Sequence, residues 1–311
     1  MLSDFFLDKR EIQWYTLLHK SDKGRKIAMK IGIVGLGLIG GSLAKSIKNN
    51  TPHSVYGLDI DKASVAGALA QEAIDDEITT HELGSCDVVF ICLHPQQTID
   101  FILTNKDNFR KGGIVADTCG VKAAIVDACE APLKDAGVTF IGCHPMAGRE
   151  FSGFAYSVDN LFERASFIMT PTDDVPLSEV RRLSELAYEI GFEKVVISTT
   201  AEHDKVIAFT SQLAHIVSSS YVKSPSLMQQ SGFSAGSFKD LTRVAKLNED
   251  MWTELFLMNA EPLVSEIDSI ITHLTEYRDS IFSADRERLH ELLKDGRELK
   301  EMSISQDRRK H

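Results

Sequence analysis

Residues 30–42 read KIGIVGLGLIGGS, and no other stretch restricts the architecture as strongly. Lys30–Val34 is a short apolar, β-branched run, the pattern of a buried strand. Gly35, Gly37 and Gly40 follow as G-x-G-x-x-G, and Leu38–Ile47 then reads as an amphipathic helix. Each glycine has a task in that order of elements. Gly35 permits a tight turn, Gly37 lets the backbone approach a ligand, and Gly40 lets the helix pack close to the strand. The free amides around Gly37, Leu38 and Ile39 then stand at the positive end of a helix, where phosphate groups are held.

The expectation is a dinucleotide-binding α/β domain. A second strand-like run, Ser54–Leu58, ends in Asp59, 24 positions beyond Gly35. A carboxylate there bonds the ribose hydroxyls and repels a 2′-phosphate, so NAD is expected rather than NADP. Alone, the glycines would suit an ordinary strand-to-helix turn and Asp59 a solvated loop. The full strand–turn–helix–strand–acid series argues for the nucleotide. His94, Asp117 and Thr118 complete the candidate cofactor residues.

A chain of 311 residues can bury two cores. Its net charge of −11 argues against nucleic acid or an anionic membrane surface as partner, so an anionic substrate must be held by local cations and amides. The five cysteines form no CxxC pair, which favours reduced thiols in a cytoplasmic protein over disulfides or a metal site. No apolar run approaches the ~18 residues of a membrane span. Residues 1–28 are expected to be an extension: Asp4, Asp8, Lys9, Arg10 and Glu11 interrupt any signal-peptide core. Its Phe5, Phe6, Trp14 and Tyr15 could dock on a surface.

Strand-like and helix-like runs alternate to about residue 198, as in a mainly parallel sheet covered on both faces. Further strands are expected at Asp87–Cys92, Gly113–Ala116, Thr139–Gly142, Ser166–Thr170 and Lys194–Ile197. Helices are expected at Gln96–Asn105, Val121–Ala136 and Leu177–Ile190. From Thr199 helical patterns take over, at Glu202–Tyr221, Ser237–Lys246, Asp250–His273 and Asp285–Glu301, with Ser303–His311 fraying. The expected division is 29–198 for the Rossmann-type NAD-binding domain and 199–311 for an all-α domain. Trp252, Leu255, Phe256, Leu263, Val264, Ile267, Ile270 and Ile271 form apolar faces that a homodimer would bury; a compact monomeric helical cap is the alternative.

The chemistry centres on Gly142–Gly153, which follows an expected strand and so opens at the ligand-binding edge of the sheet. A neutral His144 there can accept a proton from a substrate hydroxyl as hydride leaves the same carbon. Lone histidines more often cap loops, but glycines, Arg149 and Glu150 cluster around this one. Lys239, Arg243 and Lys246 share a helix face by spacing, and an Arg fork suits a carboxylate; three such cations can also be plain solvated surface.

These stretches resemble the prephenate/arogenate dehydrogenases of tyrosine biosynthesis. The matches are GLGLIGGS at 35–42, HPMAGRE-x-SG at 144–153, EHD at 202–204 and FKDLTRVAK at 238–246, within a resemblance over roughly residues 29–300. The resemblance implies NAD-dependent oxidative decarboxylation of prephenate to 4-hydroxyphenylpyruvate, or of arogenate to tyrosine. It implies that His144 is the catalytic histidine, with His215 next in line. It also implies that Arg243 binds a substrate carboxylate, with Glu150, Ser211 and Lys246 on the substrate side. Three positions depart from the family pattern. Gly120 stands where the family often has serine, and Ser211–His215 reads SQLAH in place of SHLPH. A two-domain hydroxyacid dehydrogenase and a non-catalytic NAD-binding dimer are the competing readings.

Overall fold

The computed structural model describes residues 27–149 and 151–310. The extension expected at 1–28, up to residue 26, and Glu150 lie outside the described residues. Eight strands form one sheet: β1 (Lys30–Val34), β2 (Ser54–Leu58), β3 (Asp76–Glu77), β4 (Val88–Ile91), β5 (Ile114–Asp117), β6 (Thr139–Pro145), β7 (Ser166–Thr170) and β8 (Lys194–Ile197). Their spatial order is β3-β2-β1-β4-β5-β6-β7-β8, parallel except for the antiparallel β6–β7 pair. The order reverses between β1 and β4, which opens a crevice at the carboxyl ends of those strands.

Successive residues of one strand enter different cores. Val88 and Phe90 join the cluster under α1 (Leu38–Asn50), α2 (Lys62–Ala70) and α5 (Leu177–Ile190). Val89 and Ile91 join the cluster under α3 (Pro95–Asn105) and α4 (Ala123–Asp135). Burial on both faces is why these strands read as unbroken apolar runs rather than alternating ones. The short strand β3 and helix α2 gave no such signal: Asp76–Glu77 is two acids, and α2 is small residues with little periodicity.

After β8 the described chain is helical: α6 (Thr200–Ile207), α7 (Leu213–Tyr221), α8 (Gly236–Thr242), α9 (Glu249–Met258), α10 (Ala260–Phe282) and α11 (Arg286–Lys310). Four expectations change. The helix expected over 202–221 contains a π turn at Ala208–Gln212 between α6 and α7. The helix expected over 250–273 breaks at Asn259, whose buried amide donates to Asp204 O at 2.9 Å and Gln212 Oε1 at 2.7 Å. Those bonds draw α9 and α10 onto α6. The helix carrying Arg243 ends at Thr242, so Arg243 opens a 3₁₀ turn and Lys246 closes it. Arg243 keeps α-helical dihedrals, so it retains its i, i+4 relation to Lys239, and the 3₁₀ turn keeps Arg243 and Lys246 at i, i+3. Finally, the segment expected to fray from Ser303 continues α11 to Lys310.

Val264, Ile271, Leu274, Ile281, Leu293 and Leu299 stay largely exposed on α10 and α11, while Leu263 is buried. No described helix is long and apolar enough to cross a membrane.

Candidate active site

The glycine turn fits its expected ligand. Gly35 has φ +90°, and a Cβ on it would lie 2.5 Å from Cys92 O. A Cβ on Gly40 would lie 1.9 Å from Gly35 O, so helix and turn touch without room for a side chain. Gly37 meets nothing within 4 Å, which leaves open space over the start of α1. No side chain caps that terminus, and Leu38 and Ile39 are half-exposed in its first turn. A pyrophosphate suits such a cradle by charge and by donor supply.

Asp59 is half-buried at the end of β2. It accepts hydrogen bonds from Leu36 N at 2.6 Å and Asp61 N at 2.8 Å, which ties the glycine turn to the end of β2. A carboxylate has lone-pair capacity for a hydroxyl donor beyond these two. His94 is exposed and begins α3, and Thr118 N donates to Ile91 O at 3.1 Å at the end of β4. Both therefore line the same edge of the sheet.

Asp117 corrects the sequence reading. Its side chain is fully buried and ion-paired with the equally buried Lys122. It also accepts from Cys119 N at 2.8 Å and Cys143 N at 3.0 Å. Its carboxylate is spent on the protein rather than offered to a cofactor. The reason lies in strand length: β5 pairs with β6 only as far as Ile141, yet β6 continues to Pro145. Backbone groups past the end of a ladder need partners. Asp117 takes the Cys143 N–H, and Lys122 Nζ donates to Cys143 O at 2.7 Å. A buried ion pair thus substitutes for the missing strand and carries β6 out to His144, while β7 holds the other edge through the His144–Ile168 register.

His144 is accordingly within β6 near its end, not in the loop beyond. Its ring is half-buried, and its Nδ1 lies 2.9 Å from His203 Nε2. Burial, then the neighbouring His203 and the Lys122 ammonium, hold its pKa well below the ordinary histidine value of 6.5, so the ring is neutral at pH 7. A Cβ built on Gly120 would stand 3.9 Å from His144 Nε2 and 3.5 Å from Leu255 Cδ2. The family serine missing here would have pointed into this gap.

Helix α9 links this gap to the second group of candidates. Leu255 faces Gly120, and Trp252, one turn earlier, packs on His215 with ring centroids 4.0 Å apart. His215 Nδ1 lies 3.1 Å from Val244 O in the 3₁₀ turn opened by Arg243. Its pKa is lowered by burial, with the Arg243 charge contributing. Ser211 sits one turn before His215, in the π turn, a distortion frequent at functional sites. Lys246 is exposed at the far end of the Arg243 turn. Gln212, which replaces a family histidine, is buried and donates to Leu255 O at 3.1 Å, so it holds the fold of the roof. The thiols nearby are not nucleophiles: burial pushes Cys92 and Cys129 up to about 12.

Sequence reasoning gave no role to Lys122, His203 or Asp204. The first had the signal of a lysine inside an apolar strand–helix connection. The other two lay in the matched EHD, where adjacency in sequence gives no hint of contact with His144.

A glycine cradle for a dinucleotide and a neutral histidine under a helical roof define a two-domain dinucleotide-dependent dehydrogenase. The comparisons agree on the class and narrow it. The family described as prephenate dehydrogenase, nucleotide-binding domain, matches residues 43–196, and the one described as prephenate dehydrogenase, dimerization domain, matches 199–295. The prephenate dehydrogenase of Bacillus subtilis (strain 168) is 30% identical over 282 residues, covering 86% of this chain and 74% of the relative. Prephenate dehydrogenase from A. aeolicus, solved with hydroxyphenyl propionate and NAD+, is 29% identical with a TM-score of 0.81, over 90% of this chain and 100% of that one. Synechocystis arogenate dehydrogenase is 25% identical with a TM-score of 0.76, over 88% of this chain and 100% of that one. The chain belongs to the prephenate dehydrogenase family.

Proposed function

We propose that this chain is an NAD-dependent prephenate dehydrogenase, with a sheet domain over 29–198 that holds NAD and a helical domain over 199–311 that completes the substrate site. The observation that carries the reading is the neutral His144, its Nδ1 engaged and its Nε2 beside the gap at Gly120. The exposed apolar faces of α10 and α11, together with the dimerization family matched there, support a homodimer. A cytoplasmic location accords with the absence of spanning helices among the described residues.

NAD, held by the Gly35–Gly40 turn, the start of α1 and Asp59, supplies the hydride acceptor. His144 Nε2 takes the proton of the ring hydroxyl as hydride leaves the same carbon. The ring carboxylate departs as carbon dioxide, and the electron pair of its C–C bond aromatises the ring. His144 then returns the proton to the ring oxygen, so no net proton is released. Arg243 binds a carboxylate of the substrate, and His215, Ser211, Lys246 and Glu150 are assigned to the same side.

The relative that is an arogenate dehydrogenase favours one second reading, arogenate as substrate. The two substrates differ by a keto or amino group on the side chain. Steady-state assays of both, each with NAD and NADP, separate the readings. Turnover of prephenate with NAD is expected; turnover of neither substrate sinks the assignment.

A further inference from the structure

Three titratable side chains line up across the boundary between sheet and helices. Asp204 Oδ1 lies 2.7 Å from His203 Nδ1, and His203 Nε2 lies 2.9 Å from His144 Nδ1. A carboxylate only accepts, so His203 donates from Nδ1 and its Nε2 carries a lone pair. That lone pair requires His144 to donate from Nδ1, which leaves His144 Nε2 as the acceptor facing Gly120. Asp204 cannot swing away from this task. Lys122 N and Ala123 N, at the start of α4, each donate to one of its oxygens at 2.8 Å. Asn259, at the break between α9 and α10, donates to its carbonyl oxygen.

We infer that His203 and Asp204 are positioning residues for His144: together they select its Nδ1–H tautomer, and the Asp204 carboxylate offsets the positive charge it gains when Nε2 takes the substrate proton. The inference rests on the proposed role of His144 as base. The charges around the trio leave Asp204 to do this. Burial, the adjoining His203 ring and then Lys122, on the sheet side, oppose an imidazolium at His144, and Asp117 is already paired with Lys122. On α6, Glu202 is bonded to Ser198. From the helical roof the packed groups are the uncharged Leu255, Gln212 and Asn259. His203 and Asp204 belong to the first helix after the sheet, so the helical domain supplies part of the base's own support. A sheet domain alone would hold His144 with its Nδ1 unpartnered.

The test compares His203→Leu with His203→Gln in the full chain. Leucine fills the space but cannot accept, whereas a glutamine amide oxygen can accept from His144 Nδ1 and keep the tautomer. His203→Leu should lower kcat roughly 10–100-fold, the scale found when the hydrogen-bond partner orienting a metal-bound histidine is removed. KM and NAD affinity should stay within about twofold, and the acid limb of the kcat/KM profile should move. His203→Gln should recover at least about half of that loss on a logarithmic scale. Equal activity of His203→Leu and wild type overturns the inference. So does a loss that glutamine does not relieve and that travels with NAD affinity and melting temperature, which marks a packing role. Near wild-type turnover by His144→Asn would instead remove the base assignment itself, a distinct failure.

Discussion

Replacing Lys122 by methionine isolates what the buried ion pair contributes. Both charges are fully buried, so the single change leaves the Asp117 carboxylate without its counter-ion. Breaking such a pair from one side destabilises by roughly 3–5 kcal/mol. At about 2–4 °C per kcal/mol for a unit of this size, the melting temperature should fall by roughly 6–20 °C. Adding Asp117→Asn removes the stranded charge while keeping an acceptor for Cys143 N. The double variant should therefore be more stable than Lys122→Met alone, although it carries one more substitution. Its activity should not recover, because Cys143 O still lacks the donor that fixes β6 beside His144. Denaturant unfolding of the three proteins, paired with kcat for each, reads both effects. A Lys122→Met protein within about 1 kcal/mol of wild type, or a double variant less stable than the single one, refutes the reasoning.

The nucleotide side and the substrate side should fail separately. Asp59→Ser should erode the preference for NAD over NADP in paired kcat/KM measurements, and NADP used as well as NAD by the unaltered protein would contradict the role of Asp59. Arg243→Gln should raise substrate KM roughly 10–100-fold, equivalent to one charge-assisted pair of ~1.5–3 kcal/mol, with NAD affinity by titration unchanged. Gly40→Ala should abolish NAD binding, since its Cβ would sit 1.9 Å from Gly35 O, whereas Gly120→Ala should bind NAD normally because its Cβ meets only ordinary contacts. The base must be unprotonated to act, and burial lowers its pKa, so kcat/KM should stay level from pH 8 down past 6.5 and fall only at more acid pH. An acid limb centred at pH 7 or above contradicts a desolvated His144.

Most of the sheet and the nucleotide crevice were legible in the sequence because they obey local rules. A buried parallel strand is an apolar run, and the glycine turn has a fixed spacing between it and its helix. Strands β7 and β8 and helix α5 begin and end where the pattern placed them. What stayed hidden depends on contacts between distant residues. Asp117 looked like a cofactor ligand because it ends a strand at the right edge; only the three-dimensional overshoot of β6 past β5 shows that it serves the backbone of Cys143. The break at Asn259 and the π turn before Leu213 carry helical sequence on both sides, and are set by a buried amide network joining Asn259, Gln212 and Asp204. The helix expected over 237–246 tightens into a 3₁₀ turn from Arg243, a change that residue spacing does not signal because i and i+3 share a side in both geometries.

The proposed chemistry rests on His144, whose Nε2 is held beside Gly120 while its Nδ1 is engaged. The most direct measurement is kcat for prephenate in His144→Asn alongside an NAD titration of the same protein. A base that acts mainly in the transition state should lose ~10²-fold or more in kcat with modest change in KM and unchanged NAD affinity. A near wild-type kcat would make the histidine structural and move the search for the base to His215.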